Sequence, residues 1–305
     1  MLSVIIPARN SKALTSNCLS SLFFTFQYVT FPTEFILIDD NSDETEGILP
    51  LFLNFRKSVK STVKIIRFQQ RQHYTGVFTC GLSQAKGNQI FFLSNDMMLT
   101  PDFLKTVLSV ANLEPEIGIV RGISQHTDSH PEHTCLSPFP MRGYQDVLDF
   151  SNYISRYHGL HYVEDRVLSG DAILIKRTVL DKIGVMDTKF FGYFGDLDYG
   201  IRAKRAGFKL VCAKGAWLHH EGGGHIKHEA NNENVDLNLK YQNRMQMVQA
   251  AYTKFQEKWD ASLPENYSGS LKFDFEKLFT QKVNFSEYEA PKPLDLEICQ
   301  VLETE

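Results

Sequence analysis

The sequence predicts an α/β fold built on a central, mostly parallel sheet flanked by helices. Two features of the first third of the chain carry that expectation. Short apolar runs alternate with segments of helical periodicity, and the runs end abruptly in polar clusters. Residues 3–6 form an apolar strand closed by Pro7, and residues 13–26 repeat apolar side chains at helical spacing through Leu14, Cys18, Leu22 and Phe26. Residues 34–38 make a second strand, ended by Asp39, Asp40, Asn41 and Ser42, and residues 45–55 a second helix. Residues 63–68, 75–85 and 89–93 add strand, helix and strand, the last running into Ser94, Asn95 and Asp96. Strand–helix–strand units of these lengths imply parallel pairing. Ligands of such sheets gather at the carboxyl ends of the strands. Here those ends carry Pro7, Arg9 and Asn10, then residues 39–42, then residues 94–96, all on one rim.

The remainder reads less regularly. Residues 101–113 predict a helix, 117–123 a strand, and 124–140 a polar loop containing His126, His130 and His133. Residues 167–175 return to strand, 177–183 to a short helix broken by Gly184, and 198–206 to a helix stopped by Gly207. A strand over 208–211 precedes the flexible run Gly222, Gly223 and Gly224, and residues 238–259 form a long amphipathic helix. The last fifteen residues, rich in Pro and Glu, read as a loosely held tail.

Composition bounds the function. A chain of 305 residues allows one large domain or two small ones at roughly 100–200 residues per domain. With 32 Lys and Arg against 36 Asp and Glu, the net charge of −4 argues against a nucleic-acid binder, which needs a basic face. It leaves room for a small phosphorylated ligand. Cys18, Cys80, Cys135, Cys212 and Cys299 are scattered without metal-type spacing, as expected of thiols in a reducing compartment. The N-terminus has neither the basic region nor the cleavage site of a signal peptide, and no stretch approaches the ~18 apolar residues of a membrane span. The expected location is cytoplasmic, with peripheral contact at the inner face of the membrane left open.

Four clusters carry chemistry. Asp96 follows a buried strand in a turn, where a carboxylate can hold the hard divalent cation that a diphosphate leaving group requires. Asp39 and Asp40 can accept hydrogen bonds from a base or ribose, while Ser42 or Asp43 suits a helix cap. Residues 191–202 form an aromatic, glycine-punctuated loop leading into a helix that opens with Asp196 and Asp198. Two positions apart, these acids cannot share a helical face, so one can enter a cleft as a general base while the other holds the turn. His219 and His220 precede the glycine run and can reach a metal. The loose spacing of His126, His130 and His133 argues against a zinc site.

The order and spacing of these segments resemble the family-2 glycosyltransferases of the GT-A fold, a Rossmann-like α/β architecture. The resemblance rests on residues 4–10, on 38–42, and on 92–96 followed by 99–104, which look like that family's D-x-D region. It also rests on 169–172, 184–187, 193–207, 217–220 and 255–259. It implies a GT-A domain over 1–230, with a nucleotide-sugar half (1–115) and an acceptor half (116–230), then a C-terminal helical extension over 231–305. It further implies that Pro7, Arg9, Asn10, Asp39, Asp40, Ser94, Asn95 and Gly170 line the donor site, and that Asp96 and His220 bind Mn²⁺ or Mg²⁺, with His219 as the alternative to His220. Asp196 would act as base in an inverting displacement, and residues 222–234 would form a lid. The donor class is a UDP-, dTDP- or GDP-sugar, and the acceptor a saccharide, lipid-linked or protein hydroxyl. Residues 169–198 look closest to bacterial surface-polysaccharide and rhamnosyl-type transferases. Two positions depart from the pattern: Ser94 replaces the first acid of D-x-D, and apolar residues surround Phe78, Thr79 and Cys80. A catalytically silent nucleotide-sugar-binding module is the rival reading. A dinucleotide-dependent dehydrogenase is disfavoured because no G-x-G-x-x-G follows the first strand.

Overall fold

A computed structural model describes residues 1–127, 130–222, 237–259, 291 and 299–302. The chain opens with β1 (Leu2–Ala8), α1 (Lys12–Phe26), β2 (Thr33–Asp39), α2 (Ile48–Ser58), β3 (Thr62–Phe68), α3 (His73–Gln84) and β4 (Gln89–Leu93). Its strands pair in parallel in the order β3-β2-β1-β4. The register sets Ala8 beside Asp39 and Asp39 beside Arg67, so the carboxyl ends are level. The expected single helix over 45–55 is instead a 3₁₀ turn, Glu44–Glu46, followed by α2. Gly47, at φ 64°, separates them in a conformation that costs glycine little.

The second half continues with β5 (Met97–Met98), α4 (Pro101–Ala111), β6 (Ile117–Ser124), α5 (Tyr144–His158), β7 (Tyr162–Glu164), β8 (Ala172–Lys176), α6 (Arg177–Ile183), α7 (Gly195–Arg205) and β9 (Lys209–His220). Thr100 caps α4, its side chain accepting from the Phe103 N–H, with Pro101 in the first turn. The sheet extends as β4-β8-β6-β9-β5. β8 enters antiparallel to both β4 and β6, whereas β6 and β9 are parallel. The sheet is therefore parallel in its first half and mixed in its second.

Alternate strand residues feed two apolar layers. On one face, Val4, Ile6, Phe35 and Leu37 pack against α1, α2 and α4. On the other, Ile5, Ile36, Ile38 and Phe92 pack against α3, α6 and α7. Covering both faces is what a parallel sheet with continuous apolar strands requires. Each fully buried Ile, Leu or Phe contributes about 1.5–3 kcal/mol of transfer free energy. Among the described residues, Cys18, Cys80, Cys135 and Cys212 form no disulfide.

Three elements differ from expectation. α5 was not foreseen; its stripe of Val147, Phe150 and Ile154 is narrow and flanked by polar residues. β9 runs twelve residues rather than four, because β6, β7 and β5 all pair along it. Within the last fifteen residues, expected as a loosely held tail, residues 299–302 form a strand, while the expected long helix is present. α8 (Leu237–Trp259) places Tyr252, Phe255 and Trp259 against Phe190, Leu197 and Ile201. β10 (Cys299–Leu302) adds an antiparallel edge strand to β3.

Candidate active site

The first rim cluster is a braced turn. Asn10 and Ser11 adopt left-handed backbone conformations, φ 52° and 55°. The Asn10 backbone N–H donates to Ser42 Oγ at 2.9 Å, and its side-chain amide both donates to and accepts from Asp43. Arg9 donates to the carbonyls of Asp40 and Asn41 at 3.0 and 2.6 Å. Asp40 accepts the backbone N–H groups of Gln72 and His73 at 2.6 and 3.0 Å, which sets the start of α3. Burial raises the Asp40 carboxyl above its ordinary range, opposed by the Gln72 bond and by Arg71 and Arg9. A cavity of about 300 Å³ opens beside this turn, lined by Asn41, Arg67, Phe68, Gln69 and Gln300.

Three side chains expected in the donor site hold partners within the protein. The Asp39 side chain is fully buried and occupied by the Ser42 N–H at 2.8 Å and by Arg67 at 3.1 Å. Asn10 is committed to Asp43, and Asn95, 3% exposed, donates to Thr15 Oγ1 at 2.7 Å. These side chains support the rim from within. Pro7 lies level with Ile38, close behind Arg9 and Asp40.

The second cluster joins β4 to β9. The two-residue strand β5 pairs with the end of β9, setting Met97 opposite His220 and Met98 opposite His219, and the Glu221 N–H donates to the Asp96 carbonyl. Alternation along β9 then separates the two histidines. His220 is buried, with Nε2 3.4 Å from Asp96 Oδ2. His219 turns away to Gln125 and Glu221. His220 Nδ1 donates to the carbonyl of His126 at 2.9 Å, which leaves Nε2 to face Asp96. Burial lowers the His220 pKa, but the Asp96 bond and charge, with Asp171, outweigh it and push it up to about 9.

The third cluster lies at the start of α7. Phe194, at φ 64°, turns the chain into the helix. Asp196 follows in its first turn, where the helix dipole favours a negative charge. Its carboxylate accepts the Gly170 N–H at 3.2 Å and the Leu197 N–H at 2.9 Å. Burial, with the neighbouring charge of Asp171, pushes Asp196 up to about 6 against those two bonds. Asp198 is fully buried and paired with Arg202 at 2.8 Å and Lys258 at 2.7 Å, and it accepts from the Trp259 indole at 3.1 Å.

The segment before β8 links the second and third clusters. Ser94 donates its backbone N–H to the Asp171 carbonyl at 3.0 Å. Gly170 binds Asp196 through its N–H and Tyr74 through its carbonyl, the latter at 2.9 Å. Asp171 is near enough to both Asp196 and His220 to act on each electrostatically. Sequence reasoning missed this third acid because it looked at strand carboxyl ends. β8 is antiparallel, with Leu93 opposite Ala172, so its amino end reaches the rim. Beyond Gly222, the expected lid over 222–234 lies outside the described residues.

The family model of glycosyl transferase family 2 matches residues 3–184, more than half of the chain. The chain belongs to that family. Among curated relatives, the O-antigen biosynthesis protein RfbC of Myxococcus xanthus is 24% identical over 242 residues, covering 72% of this chain and 17% of RfbC. An uncharacterised protein of Sinorhizobium fredii is 21% identical over 234 residues, covering 75% and 25%. The chain thus spans a quarter or less of the length of these relatives. The mannosyltransferase PcManGT of Pyrobaculum calidifontis, solved with GDP-Man and Mn²⁺, superposes with a TM-score of 0.54 at 13% identity. That match covers 86% of this chain and 76% of the other. The fold is GT-A, and family membership supports sugar transfer.

The packing of this family-2 rim predicts one sensitive backbone position. A Cβ on Gly170 would lie 1.7 Å from Tyr74 Oη and 3.3 Å from the Asp196 Cβ. Gly170→Ala must therefore expel Tyr74 from its bond or shift the 169–171 segment. The expected cost is about 1–3 kcal/mol of stability, as for other overpacking substitutions, with a lowered turnover. A melting curve and rate matching the parent would overturn this.

Proposed function

We propose that the protein transfers a sugar from a nucleotide-diphosphate sugar to an acceptor hydroxyl by single displacement with inversion. The observation that carries this reading is the convergence of Asp196, Asp171 and the Asp96–His220 pair on one rim, linked through Gly170 and Ser94. Asp196 would accept the acceptor hydroxyl proton on a carboxylate whose two oxygens are each already held by one backbone N–H group. Its raised pKa brings the base nearer to neutral operating pH, where proton transfer is most effective. Arg9 and Asp40 brace the turn beside the cavity that would take the nucleoside.

Asp96 and His220 suit a divalent cation. Cis ligands of a small octahedral ion stand roughly 3 Å apart, and Nε2 and Oδ2 are separated by 3.4 Å. The His126 carbonyl holds the Nδ1 proton, so Nε2 is the atom that would meet a metal once its own proton is displaced, a usual support for a ligating histidine. When bound, Mn²⁺ or Mg²⁺ would offset the charge developing on the diphosphate. The Mn²⁺ and GDP-Man in the PcManGT structure support this reading of donor and metal. The similarity to an O-antigen biosynthesis protein supports a role in surface polysaccharide or glycoconjugate synthesis, which would place the chain at the cytoplasmic face of the membrane. No helix among the described residues is long and apolar enough to cross one.

A thermal-shift series with UDP-, GDP- and dTDP-sugars, each with and without Mn²⁺, tests the proposal. One donor should raise the melting temperature only when the metal is present. Ligand at a hundred times its Kd adds about 2.7 kcal/mol. Equal stabilisation and undiminished turnover after exhaustive chelation would remove the metal, and no response to any donor would remove the function.

A further inference from the structure

Away from the proposed donor site, a second group of metal-type side chains converges in the loop between β6 and α5. A 3₁₀ turn, Pro131–His133, stacks the rings of His130 and His133 with centroids 5.1 Å apart. Both rings are buried, while Glu132 reaches solvent with 62% of its side chain exposed. One ligand atom from each of His130, Glu132 and His133 lies within 4.8 Å of the other two.

Hydrogen bonds on the far side of each ring fix what faces inward. His130 Nε2 lies 2.9 Å from the Val167 carbonyl, which can only accept, so Nε2 carries the proton. In the neutral ring Nδ1 is then a bare lone pair, and it faces Glu132 Oε1 at 3.0 Å. A proton on the ring satisfies that contact as an ion pair, and a metal cation held by the two groups satisfies it equally. His133 Nε2 donates to Asp165 Oδ1 at 2.6 Å, which again leaves Nδ1 as a lone pair. That lone pair now accepts from the Lys214 ammonium at 3.0 Å, and the same ammonium donates to the Glu132 carbonyl at 3.3 Å. A positive charge thus already stands at one of the three candidate ligand atoms, His133 Nδ1.

We infer that His130, Glu132 and His133 form a second metal site, separate from the Asp96–His220 pair and selective for a zinc-class ion. Two imidazoles and a carboxylate are a borderline donor set of the kind Zn²⁺ takes, with water as the fourth ligand on the exposed Glu132 side. Asp165 and the Val167 carbonyl are the outer partners that hold ligating histidines in the right tautomer. The site would clip the loop after β6 to the segment before β8. That loop supplies the His126 carbonyl that orients His220, and that segment leads into Gly170 and Asp171. The sequence argued against zinc here because it grouped His126 with the other two. In the fold His126 belongs to His220, and Glu132 takes its place.

The test uses the full chain carrying His220→Ala, so that only this site is counted, stripped with chelator and then equilibrated with Zn²⁺ alone. One zinc per chain should survive gel filtration, and Co²⁺ in its place should show the visible bands of a four-coordinate ion. Glu132→Gln, at an exposed position, and His130→Gln should each weaken retention at least about tenfold, the usual effect of losing a ligand or its support. Lys214→Met removes the competing ammonium and should tighten it. Zinc retained equally by the parent and Glu132→Gln would overturn the assignment. So would zinc absent from both the parent and Lys214→Met, since the cluster would then be an ion network closed by Lys214.

Discussion

Asp196→Asn is expected to lose transfer by about 10²–10⁴-fold, the usual contribution of a positioned general base, while nucleotide binding is retained. The substitution is nearly isosteric, and the amide oxygen can keep either the Gly170 or the Leu197 N–H bond. The Asp40 turn and the Asp96–His220 pair are untouched, so donor-induced stabilisation should match the parent. A pH profile gives an independent reading. The base must be ionised, so the parent rate should rise as pH increases through about 6 and level off above it. The same carboxyl costs stability, because its folded pKa lies above the ordinary value of 3.8. That cost develops as pH rises from roughly 4 through 6 and is constant at higher pH. Asp196→Asn should therefore melt no lower than the parent at pH 7.5, which separates a lost base from a lost fold. Parent-level transfer by the variant would exclude Asp196 as the base.

What the sequence made legible follows from which physical constraints are local. Apolar runs of four to six residues, two of them ending in Asp or Ser, located the parallel half of the sheet and its rim, because burial and turn chemistry act on neighbours in sequence. The two-residue spacing of Asp196 and Asp198 predicted different surroundings for the two acids, because helix geometry alone forbids a shared face, and their partners do differ. Strand direction was not legible. The apolar run of β8 reads the same in either orientation, and only its antiparallel entry brings Asp171 to the rim. Nor could the pair Asp39 and Asp40 be resolved, since which one turns inward depends on Arg67 and the α3 N-terminus arriving from later in the chain. α5 was missed because its three buried apolar residues, Val147, Phe150 and Ile154, do not stand out until β9 and Trp217 supply the surface they bury against.

The second large effect is on stability, two residues along the same helix. Asp198→Ala is expected to destabilise the protein by about 3–5 kcal/mol, the range for removing one partner of a buried ion pair. For a domain of this size that corresponds to a fall in melting temperature of roughly 10 °C. Asp198 neutralises the buried Arg202 guanidinium, which also donates to the carbonyls of Ile183 at 2.6 Å and Val185 at 2.9 Å. It also anchors α8 through Lys258 and the Trp259 indole. Alanine would leave the guanidinium buried without its counter-charge and release the end of α8, uncovering Phe190 and Leu197 beneath it. The magnitude comes from the stranded charge rather than from the worth of the pair. Asp198→Leu combined with Arg202→Met should therefore recover much of the loss. A single variant melting within about 2 °C of the parent, well below that expectation, would show that Asp198 does not hold α7 to α8. With both outcomes in hand, one acid whose loss stops transfer in an intact fold stands beside another whose loss unfolds it. No general fragility of the α7 N-terminus produces that pair of results.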